Sequence, residues 1–185
     1  MRFFQSVLTR FYRYPLFVSR CAQVGRNLSM SGKFPHITGH TRIYIGEDVR
    51  IQAGFTVSSG RTFDDPTLVL EDGVILGERV VFSVNRRVVV GAGTHIGSRC
   101  YISDNDGHPR DPEARVKGLP PAAEDILPVS IGRNVRIGSG TYVTKGVTIG
   151  DGAGIAMKSV VSYDILPGAF VAGNPARPVI GQGPG

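Results

Sequence analysis

The sequence predicts an all-β fold, a left-handed parallel β-helix, and three observations predict it. A six-residue period runs through most of the 185 residues, 25 glycines recur within it, and aliphatic residues mark its first position. Glycine in that quantity, in a chain of 41% hydrophobic content, reflects repeated turns. The last third carries the period without a break. From Ile131 it reads IGRNVR, IGSGTY, VTKGVT, IGDGAG, IAMKSV and VSYDIL.

Earlier segments keep the same phase: IGEDVR and IQAGFT from Ile45, LEDGVI and LGERVV from Leu70, VGAGTH and IGSRCY from Val90. A strand alternates its faces every two residues, so each aliphatic residue shares a face with the residue two places before it. Val135 with Ile137, Thr141 with Val143, Val147 with Ile149, Ala153 with Ile155 and Ser159 with Val161 therefore point inward together. The small residue after each aliphatic is expected to adopt the left-handed backbone of a sharp corner. Three strands and three corners close one triangular coil, and the repeats account for roughly five coils.

The period assigns residues 25–168 to the coil, with interruptions at about 58–68, at 85–89 and, longest, a protruding loop at 104–129. Residues 1–24 differ. Phe3, Phe4, Val7, Leu8 and Phe11 fall on one face at helical spacing, with Arg2, Arg10 and Arg13 off that stripe, and Pro15 is expected to end or kink the helix. Two readings of this amphipathic segment stay open, a lid over the first coil and a peripheral contact with an anionic membrane. Residues 169–185, rich in proline and glycine, are expected to form an irregular tail.

A formal charge of +6 suits nucleic acid, an anionic membrane surface or a phosphate-rich small molecule. The basic residues are scattered, and no recognition helix or stacking motif accompanies them, which argues against nucleic acid. No apolar run approaches the roughly 20 residues of a membrane span. Cys21 and Cys100 lack the spacing of a metal knuckle or redox pair, and Cys100 falls on a small inward position of IGSRCY. A cytoplasmic location is expected, with the inner face of the membrane as its margin.

The hexamers, the segment LPVSIGRNVRIGSG and the closing AGNPAR together resemble the hexapeptide-repeat acyltransferases over residues 43–180. Among these the chain is most similar to the sugar O-acetyltransferases of the maltose and galactoside type and their polysaccharide-biosynthesis relatives. Members of that branch carry a His-Pro-x-Asp motif followed by an Arg; here the stretch reads GHPRDPEAR, from Gly107 to Arg115.

The resemblance implies a homotrimer that uses acetyl-CoA, without a metal, to acetylate a hydroxyl of a sugar or glycan precursor. His108 would be the general base, since imidazole is suited to deprotonating a hydroxyl at neutral pH. Asp104, Asp106 and Asp111 flank it as candidates for orienting the ring or binding the acceptor, and Asn85 is a further acceptor-binding candidate. Donor contacts would come from Gly138, Ser139, Ala156, Lys158, Ala172 and Arg177, with a backbone amide near Gly138 polarising the thioester.

Two departures fall near that channel. Relatives often have a tryptophan where this chain has Arg136, and Thr-Lys-Asp where it has Ser162-Tyr163-Asp164. Three other readings stand beside the main one. An N-acetyltransferase acting on an amino sugar would use the same base, a catalytically silent scaffold would need no loop histidine, and a metal hydratase would need three imidazoles around one ion. His36, His40 and His95 read as structural or surface residues.

Overall fold

The computed structural model describes residues 14–179. It is a left-handed parallel β-helix with three faces of short strands. The first face comprises β1 (Gln23–Val24), β4 (Arg42–Ile45), β7 (Thr67–Leu70), β10 (Arg87–Val90), β13 (Val129–Ile131) and β16 (Thr148–Ile149). The second stacks β2 (Ser29–Met30), β5 (Arg50–Ile51), β8 (Ile75–Leu76), β11 (His95–Ile96), β14 (Arg136–Ile137), β17 (Gly154–Ile155) and β19 (Phe170–Ala172), with β20 (Arg177–Pro178) at its edge. The third holds β3 (His36–Thr38), β6 (Thr56–Ser58), β9 (Val81–Ser83), β12 (Tyr101–Ser103), β15 (Tyr142–Val143) and β18 (Val160–Val161).

Each face thus takes one strand from each of six coils, one coil more than the hexamer count. The extra coil is the first. Its strands β1, β2 and β3 pair in parallel with β4, β5 and β6 although their sequence lacks the aliphatic-glycine signature. Among the described residues, α1 (Tyr14–Val18) precedes it, with Pro15 inside the helix's first turn, where its missing N–H costs nothing. Phe17 of α1 is buried and packs edge-on against Phe55, ring centroids 5.8 Å apart. The helix therefore seals the open end of the core, and the coil begins at Gln23 rather than after residue 24. The stripe from Phe3 to Phe11 lies outside the described residues.

The inward pairs are buried as the two-residue alternation requires: Val135 and Ile137, Thr141 and Val143, Val147 and Ile149, Ala153 and Ile155, Ser159 and Val161. Buried hydroxyls need acceptors, and the corners supply them. Thr141 Oγ1 donates to the Gly138 carbonyl at 2.7 Å, and Ser159 Oγ to the Ala156 carbonyl at 2.8 Å. Cys100 stands in the same column, its Sγ 3.2 Å from the Gly138 carbonyl.

The glycine after each aliphatic has a different cause from the one expected. The left-handed corner residue is the fourth of the hexamer, as at Gly140 (φ +73°), Asn134 (φ +53°) and Lys158 (φ +59°). Gly138, the second position, is instead required by close approach: a Cβ there would lie 2.4 Å from the Met157 backbone nitrogen of the next coil. Stacked parallel strands leave no room for a side chain at that point of the corner.

The tail also differs from the irregular ending expected. β19 continues the second face in parallel with β17, and β20 folds back antiparallel, bringing Arg177 opposite Ala172. Pairing with the last coil covers a sheet edge that would otherwise be open.

Candidate active site

The corner that joins the third face to the first is where all three interruptions of the repeat emerge. The longest, residues 104–128, contains α2 (Pro112–Val116) and a single 3-10 turn (Ala123–Asp125). Its backbone leaves and rejoins the coil at one point, the Leu127 N–H donating to the Asp104 carbonyl at 2.9 Å. The excursion is closed at its base, so its length costs no order in the coil.

His108 sits on the rising limb of this loop and is exposed. Its Nδ1 lies 3.1 Å from the Pro109 carbonyl oxygen. A carbonyl can only accept, so the neutral ring carries its proton on Nδ1 and leaves the Nε2 lone pair for another partner. The segment is pinned from both neighbouring coils. Asn105, buried, donates from Nδ2 to Ser83 Oγ at 3.1 Å on the coil below and accepts the Gly107 N–H on Oδ1 at 2.8 Å. Asp106 forms an ion pair with Lys145 of the coil above, whose ammonium is largely shielded from solvent.

The carboxylates expected to assist His108 have other tasks. Asp104 is wholly buried: Oδ1 accepts the Asn85 N–H at 2.8 Å, and Oδ2 accepts those of Arg86 and Arg87 at 2.7 and 2.8 Å. It cannot also meet an acceptor sugar, because its lone pairs are taken and solvent cannot reach it. Asp111 is exposed but serves as the N-cap of α2, accepting the N–H groups of Glu113 and Ala114 at 3.3 and 3.0 Å. Asn85 is buried too, with Oδ1 accepting the Gly60 N–H at 2.6 Å, so it clasps the 59–66 loop rather than a ligand. Asp106 faces solvent and is engaged by Lys145.

The expected donor residues gather at the corner between the second and third faces, away from His108. Gly138 and Ser139 line a groove of about 560 Å³ that runs along the second face between His95, Arg136, Met157 and Phe170. Ala156, Lys158, Ala172 and Arg177 do not line it. Lys158 instead forms the left-handed corner beside it, and Ala172 and Arg177 pair across β19 and β20. The Gly138 N–H is spent on the Ile155 carbonyl at 2.8 Å, so it is not the amide free to polarise a substrate. The departure at Tyr163 has a structural partner: the Arg177 guanidinium lies 5.7 Å from its ring centroid, and the Tyr163 hydroxyl donates to the Ala176 carbonyl at 3.0 Å.

Several contributors were not singled out in the sequence. Asn105 and Lys145 had no motif to mark them, since their role depends on neighbours 22 and 39 residues away. Tyr101 and Tyr142 stack on the third face, 5.4 Å between centroids. Both occupy the sixth position of near-identical hexamers, IGSRCY and IGSGTY, a signal that predicts their stacking once the coils are in register. His95 lines the groove on the second face while His108 rides the loop of another corner, and among the described residues no group of three or more His, Cys, Asp or Glu side chains gathers as a metal site.

Comparison with known proteins agrees with this geometry. The family model described as bacterial transferase hexapeptide (six repeats) matches residues 128–162. The galactoside O-acetyltransferase of Escherichia coli K12 is 32% identical over 133 residues, covering 71% of this chain and 53% of that protein. A galactoside acetyltransferase solved in complex with coenzyme A superposes with a TM-score of 0.53 at 27% identity, over 90% of this chain and 68% of that one. AntD, an N-acyltransferase from Bacillus cereus, in complex with dTDP-4-amino-4,6-dideoxyglucose and coenzyme A, shares the fold with a TM-score of 0.66 at 17% identity, covering 91% and 88%. The chain spans about half the length of the curated relatives it matches.

Proposed function

We propose that this chain, whose coil carries the bacterial transferase hexapeptide and resembles that of sugar O-acetyltransferases, moves an acetyl group from acetyl-CoA to a hydroxyl of a sugar or glycan precursor. One observation carries the reading: His108 stands exposed on a loop pinned from two coils, with Nδ1 on the Pro109 carbonyl and Nε2 unengaged by that bond. That is the state a general base needs before the acceptor arrives.

The acceptor hydroxyl donates to Nε2. As its oxygen attacks the thioester carbonyl, Nε2 takes the proton and the carbonyl oxygen becomes an oxyanion, which a backbone amide other than that of Gly138 stabilises. Collapse of the tetrahedral intermediate breaks the C–S bond, and the imidazolium returns the proton to the departing thiolate. The two substrates meet directly, so proximity supplies much of the acceleration.

The groove beside Gly138 and Ser139 suits the pantetheine arm, being long, open and lined by Met157 and Phe170. Within one chain that groove and His108 occupy different corners, with the third face between them. A site that uses both therefore draws them from two copies, which supports the homotrimer. We further place the chain in the cytoplasm, in keeping with the free thiols of Cys21 and Cys100. No helix among the described residues is long and apolar enough to cross a membrane, and a peripheral contact is left to residues 1–13.

The test is thiol release from acetyl-CoA against free sugars, nucleotide sugars, amino sugars and lipid-linked glycans. His108→Ala should lower kcat at least about a hundredfold while calorimetry still detects CoA binding. Full activity in that variant overturns the base assignment. Transfer to amino sugars alone favours N-acetylation, and failure to bind CoA favours a catalytically silent scaffold.

A further inference from the structure

We propose that Arg115 is a positioning residue that sets the tautomer of His108, an inference that rests on the reading of His108 as the base. Two donors address one oxygen: His108 Nδ1 lies 3.1 Å from the Pro109 carbonyl, and Arg115 Nη1 donates to it at 3.2 Å. A carbonyl oxygen has two lone pairs, so it can serve both donors, provided its direction is held. The same Nη1 provides the hold, donating also to the Arg110 carbonyl at 3.0 Å. One guanidinium nitrogen thereby bridges consecutive carbonyls and fixes the peptide plane between them.

The sequence around His108 is built for this clamp. Pro109 has no N–H, so the residue that follows the histidine offers its ring an acceptor and no donor. α2 carries Arg115 back over the chain: Asp111 caps its start, and Arg110 pairs with Asp125 at 2.7 Å across the loop's base. Guanidinium stays charged throughout the working range of an enzyme, so the clamp does not release with pH.

The consequence is chemical. A histidine free in water favours the proton on Nε2, the wrong nitrogen for a base that must accept there. Holding the Pro109 oxygen against Nδ1 inverts that preference before substrate binds. A carbonyl thus does what a carboxylate does in a Ser-His-Asp triad, and the cation behind it keeps it in place.

The experiment uses the full chain labelled with 15N-histidine, the His108 ring resonances being identified by their loss in His108→Gln. Long-range 15N–1H spectra at pH 8 should show the Nδ1–H form for His108, shifting toward Nε2–H in Arg115→Ala. In steady state Arg115→Ala should lose at least about tenfold in kcat with the KM for acetyl-CoA unmoved, the signature of a misplaced catalytic group rather than lost binding. Arg115→Lys keeps the charge and should fall between. Asp125→Asn loosens the loop's base without touching Pro109 and should leave the tautomer as it is. An unchanged tautomer in Arg115→Ala, or an equal shift in Asp125→Asn, overturns the proposal. The tautomer is read without turnover, so a failed base assignment and a failed clamp give separate results.

Discussion

The buried carboxylate of Asp104 accepts the backbone N–H of Asn85 at 2.8 Å, joining the corner that follows one coil to the root of the loop that follows the next. With the N–H groups of Arg86 and Arg87 on its other oxygen, Asp104 satisfies a bend that has no ladder partner of its own. Orphaned buried donors are costly. Asp104→Ala should therefore destabilise the chain by about 2–4 kcal/mol, measured by urea unfolding. A variant of full stability and weakened acceptor binding would return Asp104 to the role of a ligand.

Lys145 and Asp106 tie the loop to the coil above. Replacing the ammonium by a methyl thioether keeps the stem that packs on the corner and removes the tether. Lys145→Met should lower kcat several-fold while changing stability by less than about 1 kcal/mol, because one exposed partner limits what the ion pair contributes. Equal losses in both quantities would show that Lys145 supports the coil.

Gly138 and Gly140 are neighbours in one hexamer with opposite reasons to be glycine. Gly138→Ala places a Cβ 2.4 Å from the Met157 nitrogen and must push adjacent coils apart, whereas Gly140→Ala forces φ +73° on a side chain that meets only the Lys158 stem, at 3.5 Å. Overpacking at Gly138 should cost up to about 3 kcal/mol and strain at Gly140 about 1–2 kcal/mol. Only Gly138→Ala should also weaken CoA binding by calorimetry, since only it displaces a wall of the groove.

Burial pushes the Cys21 thiol up to about 12, against a small opposing effect of Arg20. Its Sγ lies 3.4 Å from the Phe17 carbonyl, at the seal of the first coil. The folded thiol stays protonated where an unfolded one ionises, so the native chain binds more protons above the ordinary thiol value near 9.0. Its contribution to stability is complete below that value and is lost as pH rises from there to about 12. Alkylation of Cys21 at pH 8.5 should be slow in the native chain and fast in urea, and Cys21→Ala should flatten the alkaline limb of the stability curve. Rapid native alkylation would contradict the burial.

The interruption of the hexamers at 104–129 was legible because a solenoid announces every departure from its period, and His108 was legible because it stood in a motif. Asp104, Asp111 and Asn85 were misread for a shared reason. A carboxylate or amide in a loop reads alike whether it faces solvent or a row of backbone N–H groups. For Asp111 those groups belong to the helix it caps, and for Asp104 and Asn85 they lie in coils about 17 to 25 residues away.

By itself the sequence determined the coil, its inward residues and the place where chemistry would have to leave it. An alternation of two inside a repeat of six is local, and stacking merely multiplies it. Only the tertiary structure decided which polar groups are spent and which are free. It assigned Asn105 and Lys145 to the loop, closed the first coil with Phe17 and set Arg115 on the carbonyl that faces His108. Those contacts join residues that no period relates, so they exist only once the coils are stacked.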